Sequence, residues 1–103
     1  MLINKGVGIG DLVTIKLTTG EEVVTKIVEV GDDHYMIDEP YAFVPSPQGL
    51  TMIPYMMTAE SSHKIELKKQ FVMMILPAKK EIEAHYIQAT TGIATATGVN
   101  IQK

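Results

Sequence analysis

The sequence predicts a mostly β fold in one small domain, with five short strands curled into a barrel and a single C-terminal helix after them. Three observations carry this expectation. Apolar and polar residues alternate at period two through much of the chain as far as Leu76, turn-forming Gly, Asp and Pro interrupt the alternation at short intervals, and the composition changes to helix formers after Pro77. Short strands punctuated by turns fit a small barrel better than a helical or parallel α/β fold.

Residues 1–10, with Gly6, Gly8 and Gly10, read as a flexible lead-in. A phosphate-loop reading of these glycines fails because they follow no strand and open a strand, not a helix. The domain proper spans 11–89. In its first strand Val13, Ile15 and Leu17 alternate with Thr14 and Lys16, and Thr18-Thr19-Gly20-Glu21 supplies a turn in which Gly20 is free to take a positive φ. The second strand, Glu22–Val30, places Val23 and Ile27 on one face and Val24, Val28 and Val30 on the other, as a strand covered on both sides does. Gly31-Asp32-Asp33 closes it.

A third strand runs from His34 to Val44 and is broken by Asp38-Glu39-Pro40. Proline cannot sit inside a fully paired ladder, so the strand bends there or lies at an edge. Ser46-Pro47-Gln48-Gly49 is a hairpin turn, the fourth strand is Leu50–Met57 with Pro54 marking an edge, and Thr58–His63 is a polar loop. Ile65–Leu76 is mostly extended, and its apolar end, Val72–Leu76, reads as a buried fifth strand. Residues 78–89 follow a proline and precede Gly92, which marks a helix with Ile82, Tyr86 and Ala89 as its packing stripe; Ile82, Ala84 and Tyr86 also alternate, which leaves a strand open. Residues 90–103, rich in Thr, Ala and Gly, read as a mobile tail.

Composition narrows the function. A chain of 103 residues builds one core and buries only about 60–65% of the surface it exposes when unfolded, yet this one carries seven methionines, with pairs at Met56-Met57 and Met73-Met74. Such an apolar supply points to burial between subunits. The absence of cysteine excludes a disulfide framework, a thiol nucleophile and a Cys-ligated zinc. The start of the chain lacks a signal-peptide pattern, and the longest strongly apolar run, Phe71–Leu76, is far short of the ~20 residues that span a bilayer. The expectation is a cytoplasmic protein without a membrane partner.

His34, His63 and His85 stand apart without metal-binding spacing, Ser61-Ser62-His63 are neighbours in sequence and not a triad assembled in space, and the acid pairs Asp32-Asp33 and Asp38-Glu39 fall in turns. No catalytic residue, metal or cofactor is therefore expected, and the chain reads as a non-enzyme. Its net charge of −3 is uneven: residues 1–50 hold three lysines against eight acids, and residues 51–103 hold six lysines against four. There is no arginine, so any phosphate contact must come from lysine or backbone.

From Val13 to Asp38 the string VTIKLTTGEEVVTKIVEVGDDHYMID resembles the first motif of Sm and Sm-like (LSm) proteins, bacterial Hfq among them. Gly20 matches the turn glycine of that motif, and Asp33-His34-Tyr35-Met36 matches the first four positions of its loop. Ile37 stands where the family has asparagine, Thr25 or Lys26 where a bent second strand usually has glycine, and the Ile-Arg-Gly turn of the second motif is replaced by Glu60–Gln70. With Ser46-Pro47-Gln48-Gly49, Ile53-Pro54 and the Pro77-led segment, the whole chain is similar to Sm-like proteins of tailed phages that infect marine cyanobacteria.

The resemblance implies a strongly bent five-stranded, SH3-like barrel and a homo-oligomeric ring in which Leu50–Met57 of one subunit pairs with Val72–Leu76 of the next. It also implies a site for single-stranded RNA, or DNA, in the loop Asp33-His34-Tyr35, where Tyr35 stacks on a base and Asp33 shapes the loop; in a ring, Lys64, Lys68 and Lys69 repeat around the axis and make a positive zone for phosphate. Beside this stand plainer readings, of Asp32-Asp33 as a simple turn and the lysines as a solvated face, and a second function: a structural ring, such as a phage assembly component or an adaptor for a protein partner.

Overall fold

The computed structural model describes residues 7–60 and 64–91. Its elements in chain order are β1 (Leu12–Leu17), β2 (Glu22–Val30), β3 (His34–Ser46), β4 (Gly49–Pro54), β5 (Lys64–Lys68), a 3₁₀ turn (Lys69–Phe71), β6 (Val72–Pro77) and α1 (Lys80–Thr91). Every strand pairing is antiparallel. The chain is thus mostly β, a single antiparallel sheet with one C-terminal helix.

The sheet runs β4-β3-β2-β1-β6. β3 is long enough to hold two partners end to end: β5 pairs with His34–Asp38 and β4 with Tyr41–Ser46, while β2 runs along the other edge. Six strands therefore form where five were expected, although the sheet is five strands wide. The extra division arises because Lys69–Phe71 winds as a 3₁₀ turn inside the stretch expected to be extended, Ile65–Leu76.

Irregular registers bend the ladder. Val24 faces Tyr41 while Lys26 faces Asp38, so Thr25 is opposed by both Glu39 and Pro40, and Val28 is the extra residue between Ile27 and Glu29. Such bulges bend a strand and increase its twist. The break expected at Asp38-Glu39-Pro40 is the first of them. Glu39 takes a φ of 44°, rare outside glycine, and the fully buried Thr25 donates its Oγ1–H to the Asp38 carbonyl at 2.7 Å. The turn glycines Gly20 (φ 101°) and Gly49 (φ 120°) take the positive φ their turns require.

The core is built from one face of this bent sheet. Val13, Ile15 and Leu17 of β1, Val23 and Ile27 of β2, and Ile37 of β3 cluster there, with Tyr35, Tyr55, Ile65, Leu67, Val72 and Ile75 packed around them. β6 departs from expectation: Val72–Leu76 is not a buried strand. Only β1 pairs with it, and Met73, Met74 and Leu76 are 53%, 54% and 63% exposed. It is an edge, and among the described residues of one chain nothing covers its methionines. Met56 and Met57 are exposed beyond β4, at the other side of the sheet.

The segment at 78–89 is helical, shifted to Lys80–Thr91, and Thr90 and Thr91 of the expected tail belong to it. Tyr86 is the helix residue that is buried; Ile82 is half-buried and Ala89 exposed, so the expected stripe narrows to one anchor. The Tyr86 hydroxyl donates to the carbonyls of Asp38 (2.8 Å) and Glu39 (3.0 Å), and its ring meets that of Tyr41 edge to face at 5.7 Å. At the other end, Val7–Gly10 turns into β1, with the Gly10 N–H on the Ile27 carbonyl at 2.7 Å. The rest of the lead-in (1–6), Ser61-Ser62-His63 and the tail from 92 lie outside the described residues. No described helix is long and apolar enough to cross a membrane.

This anchor gives the fold an alkaline limit. Burial first, then the nearby Glu39 and Asp38 carboxylates, raise the Tyr86 phenol well above its ordinary value of 10.0. Its neutral form is the one the fold favours, so its contribution is complete below about pH 10 and is lost as the pH rises from there, when the unfolded phenol ionises and the folded one does not. The slope approaches ~1.4 kcal/mol per pH unit. Urea unfolding between pH 9 and 11 is expected to show a steeper loss of stability for the natural chain than for Tyr86→Phe.

Candidate nucleic-acid interface

β2 ends at Val30, and Gly31-Asp32-Asp33 turns the chain into β3, with the Gly31 N–H donating to the His34 carbonyl at 2.8 Å. A Cβ at Gly31 would run into the His34 imidazole, so glycine lets the ring fold back over the turn. The His34 Nδ1–H then donates to Asp33 Oδ1 at 3.0 Å. That bond, followed by the charge of Lys68, holds the Asp33 carboxyl below the usual range.

β5 brings the second segment alongside. Its register sets Lys68 opposite His34, Leu67 opposite Tyr35 and Lys64 opposite Asp38. Immediately beyond it, the Lys69 backbone N–H donates to the Asp33 carbonyl at 2.9 Å and ties the 3₁₀ turn to the β2–β3 turn. Lys69 Nζ lies 5.1 Å from the centroid of the Tyr35 ring. Asp33, His34, Tyr35, Lys68 and Lys69 therefore meet at one end of the sheet. Lys64 does not join them: it lies four residues along β5 from Lys68, roughly 13 Å away, and pairs with Asp38 at 3.8 Å.

Tyr35 is half-buried and packs against the core cluster, which holds the ring in place while leaving part of it exposed. Ile37, two residues on and facing the same way, is buried in that core; the position held by asparagine in the Sm motif is here a packing residue. A base on Tyr35 would gain ~1–3 kcal/mol from stacking, against about 0.5–1 kcal/mol for an exposed cation over a ring, so a base can displace the ammonium.

The alternation of β5 brings in a residue outside the expected set. Glu66 sits between the lysines, takes an ion pair from Lys68 at 3.0 Å and lies 4.0 Å from His34 Nδ1. Its hydrogen bond, followed by its charge, raises the Lys68 ammonium above its ordinary value. The alternation of Lys64, Glu66 and Lys68 on one exposed face was the signal that could have found it. Lys64 and Lys68 are thus partly neutralised, and among the described residues Lys69 is the cluster's cation without a carboxylate partner. No group of described residues has the makings of a metal site. No protein-family model and no curated protein matches the chain.

Proposed function

We propose that the chain is a non-catalytic, Sm-like ring protein that binds single-stranded nucleic acid, RNA first, at the Tyr35 end of each subunit. The observation that carries this reading is the meeting of two distant segments: the Asp33-His34-Tyr35 loop and the Lys68-Lys69 turn share one surface, with an aromatic ring and an ammonium in contact. That combination recognises a base and its phosphate without reading sequence through hydrogen bonds.

The ring part of the proposal draws on the sheet edges. β4 with β5 forms one edge and β6 the other, and exposed apolar side chains lie along both: Leu50, Met56 and Met57 on the first, Met73, Met74 and Leu76 on the second. Pairing the two edges between copies satisfies both rows of backbone groups, and a head-to-tail contact that closes makes a ring. The bulged, bent sheet is also what a five-stranded Sm-like barrel requires. A phage origin of the kind the sequence resembles fits a compact ring working in the host cytoplasm.

Titration of labelled single-stranded oligoribonucleotide at low and high salt tests the nucleic-acid part. Binding at low salt is expected to weaken as salt rises and to fall about tenfold in Tyr35→Ala. Absence of low-salt binding, or an affinity indifferent to Tyr35→Ala, contradicts it. The second reading, a scaffolding ring that holds a protein partner, is favoured by the carboxylates of Asp38 and Glu66 on two of the three lysines. It keeps the edges and dispenses with nucleic acid.

A further inference from the structure

Lys69 differs from its neighbours in three ways. It is half-buried where Lys64 and Lys68 are exposed, its backbone is fixed to the Asp33 carbonyl, and its ammonium rests over Tyr35 and on no described carboxylate. Tyr35 packs against the core cluster and Lys69 lies over its ring, on a surface that a stacking base would need. The free protein thus has its stacking surface occupied by its own cation.

We propose that Lys69 is a cap that selects for phosphate: it seals Tyr35 in the free protein, and a base enters only by moving the ammonium onto the phosphate that accompanies that base. This deepens the nucleic-acid reading above and rests on it. Lys69 has the reach for the exchange, since a compact ammonium on a flexible four-carbon stem can leave the ring while its backbone stays bound to Asp33. A nucleoside displaces the cap and offers the ammonium no replacement. A nucleotide displaces it and supplies a doubly charged acceptor in its place, and a hydrogen bond between charged groups is among the stronger ones available. The minimal ligand class is therefore a base with its own phosphate. Lys68, already held by Glu66, is not free to do the same.

Two measurements on the full chain decide the matter. In the protein alone, carbon–proton NMR is expected to show the Lys69 Cε protons shifted upfield by the Tyr35 ring current, with the shift lost in Tyr35→Leu. In titrations with adenosine and adenosine 5′-monophosphate, the natural chain is expected to favour the nucleotide by about tenfold or more. Lys69→Met, which keeps the stem and removes the charge, is expected to reduce that preference to within about twofold while binding adenosine at least as tightly as the natural chain. Absence of the ring-current shift, or a preference for the nucleotide that Lys69→Met leaves intact, overturns the cap alone, as does equal weakening of both ligands. Failure of the natural chain to bind either these ligands or oligoribonucleotide overturns the nucleic-acid reading together with the cap.

Discussion

Lysine at both Met73 and Met74 is expected to turn the proposed ring into a folded monomer. These side chains are 53% and 54% exposed on β6, so in the single chain two ammonium groups meet water and disturb no core contact. In an assembly paired through β6 the same groups would be desolvated against the neighbour's edge, at several kcal/mol per ion, and rotational symmetry repeats that cost at every interface. Edge lysines are also a common natural means of preventing strand addition. Sedimentation velocity is expected to show the monomer alone, with circular dichroism unchanged. A double variant that keeps the natural chain's oligomeric mass would place the contact on some other surface.

The second large effect falls on the helix. Tyr86→Ala is expected to lower stability by about 3 kcal/mol, and the melting temperature by roughly 10–20 °C, with loss of the helical signal from Lys80–Thr91. Tyr86 is 3% exposed, and it is the one buried residue of the described helix. It packs edge to face on Tyr41 and donates to the Asp38 and Glu39 carbonyls at the bend of β3. Tyr86→Phe should cost only about 1 kcal/mol: the ring stays, and the Asp38 carbonyl keeps the Thr25 hydroxyl. Thermal and urea unfolding of the two variants separates packing from hydrogen bonding, and equal losses would mean that the ring contributes nothing.

Features fixed by neighbouring residues were legible in the sequence. The turns at Thr18–Glu21 and Gly31–Asp33 bounded β2 at Glu22 and Val30, Pro40 marked the bend of β3, and Gly20 and Gly49 marked turns, where both take positive φ. Register was not legible, because it depends on which distant segment arrives alongside. Nothing local in Lys69-Gln70-Phe71 breaks a strand, yet the 3₁₀ turn there sets β5 against the start of β3 and β6 against β1. The same is true of burial: Met73 and Met74 have the composition of a core strand, but β6 has a neighbour on one side only.

For the candidate site, the resemblance to the Sm motif and the ring it implies pointed to Asp33, His34, Tyr35, Lys68 and Lys69, which the fold brings together, and to Lys64, which it leaves at the far end of β5. What the sequence could not weigh was ion pairing. Glu66 alternates between Lys64 and Lys68 on the same face, so the run that reads as a basic patch is a mixed one. Lys69 escapes this by lying just past the strand, where the chain winds and its side chain turns to Tyr35.

Native mass spectrometry of the full chain, with absorbance read at 260 and 280 nm on the same preparation, tests the central claim most directly. The proposed ring predicts one closed species at an integral multiple of 11.3 kDa, able to retain nucleic acid at low salt and to shed it at high salt. A clean 11.3 kDa monomer at working concentration would contradict it.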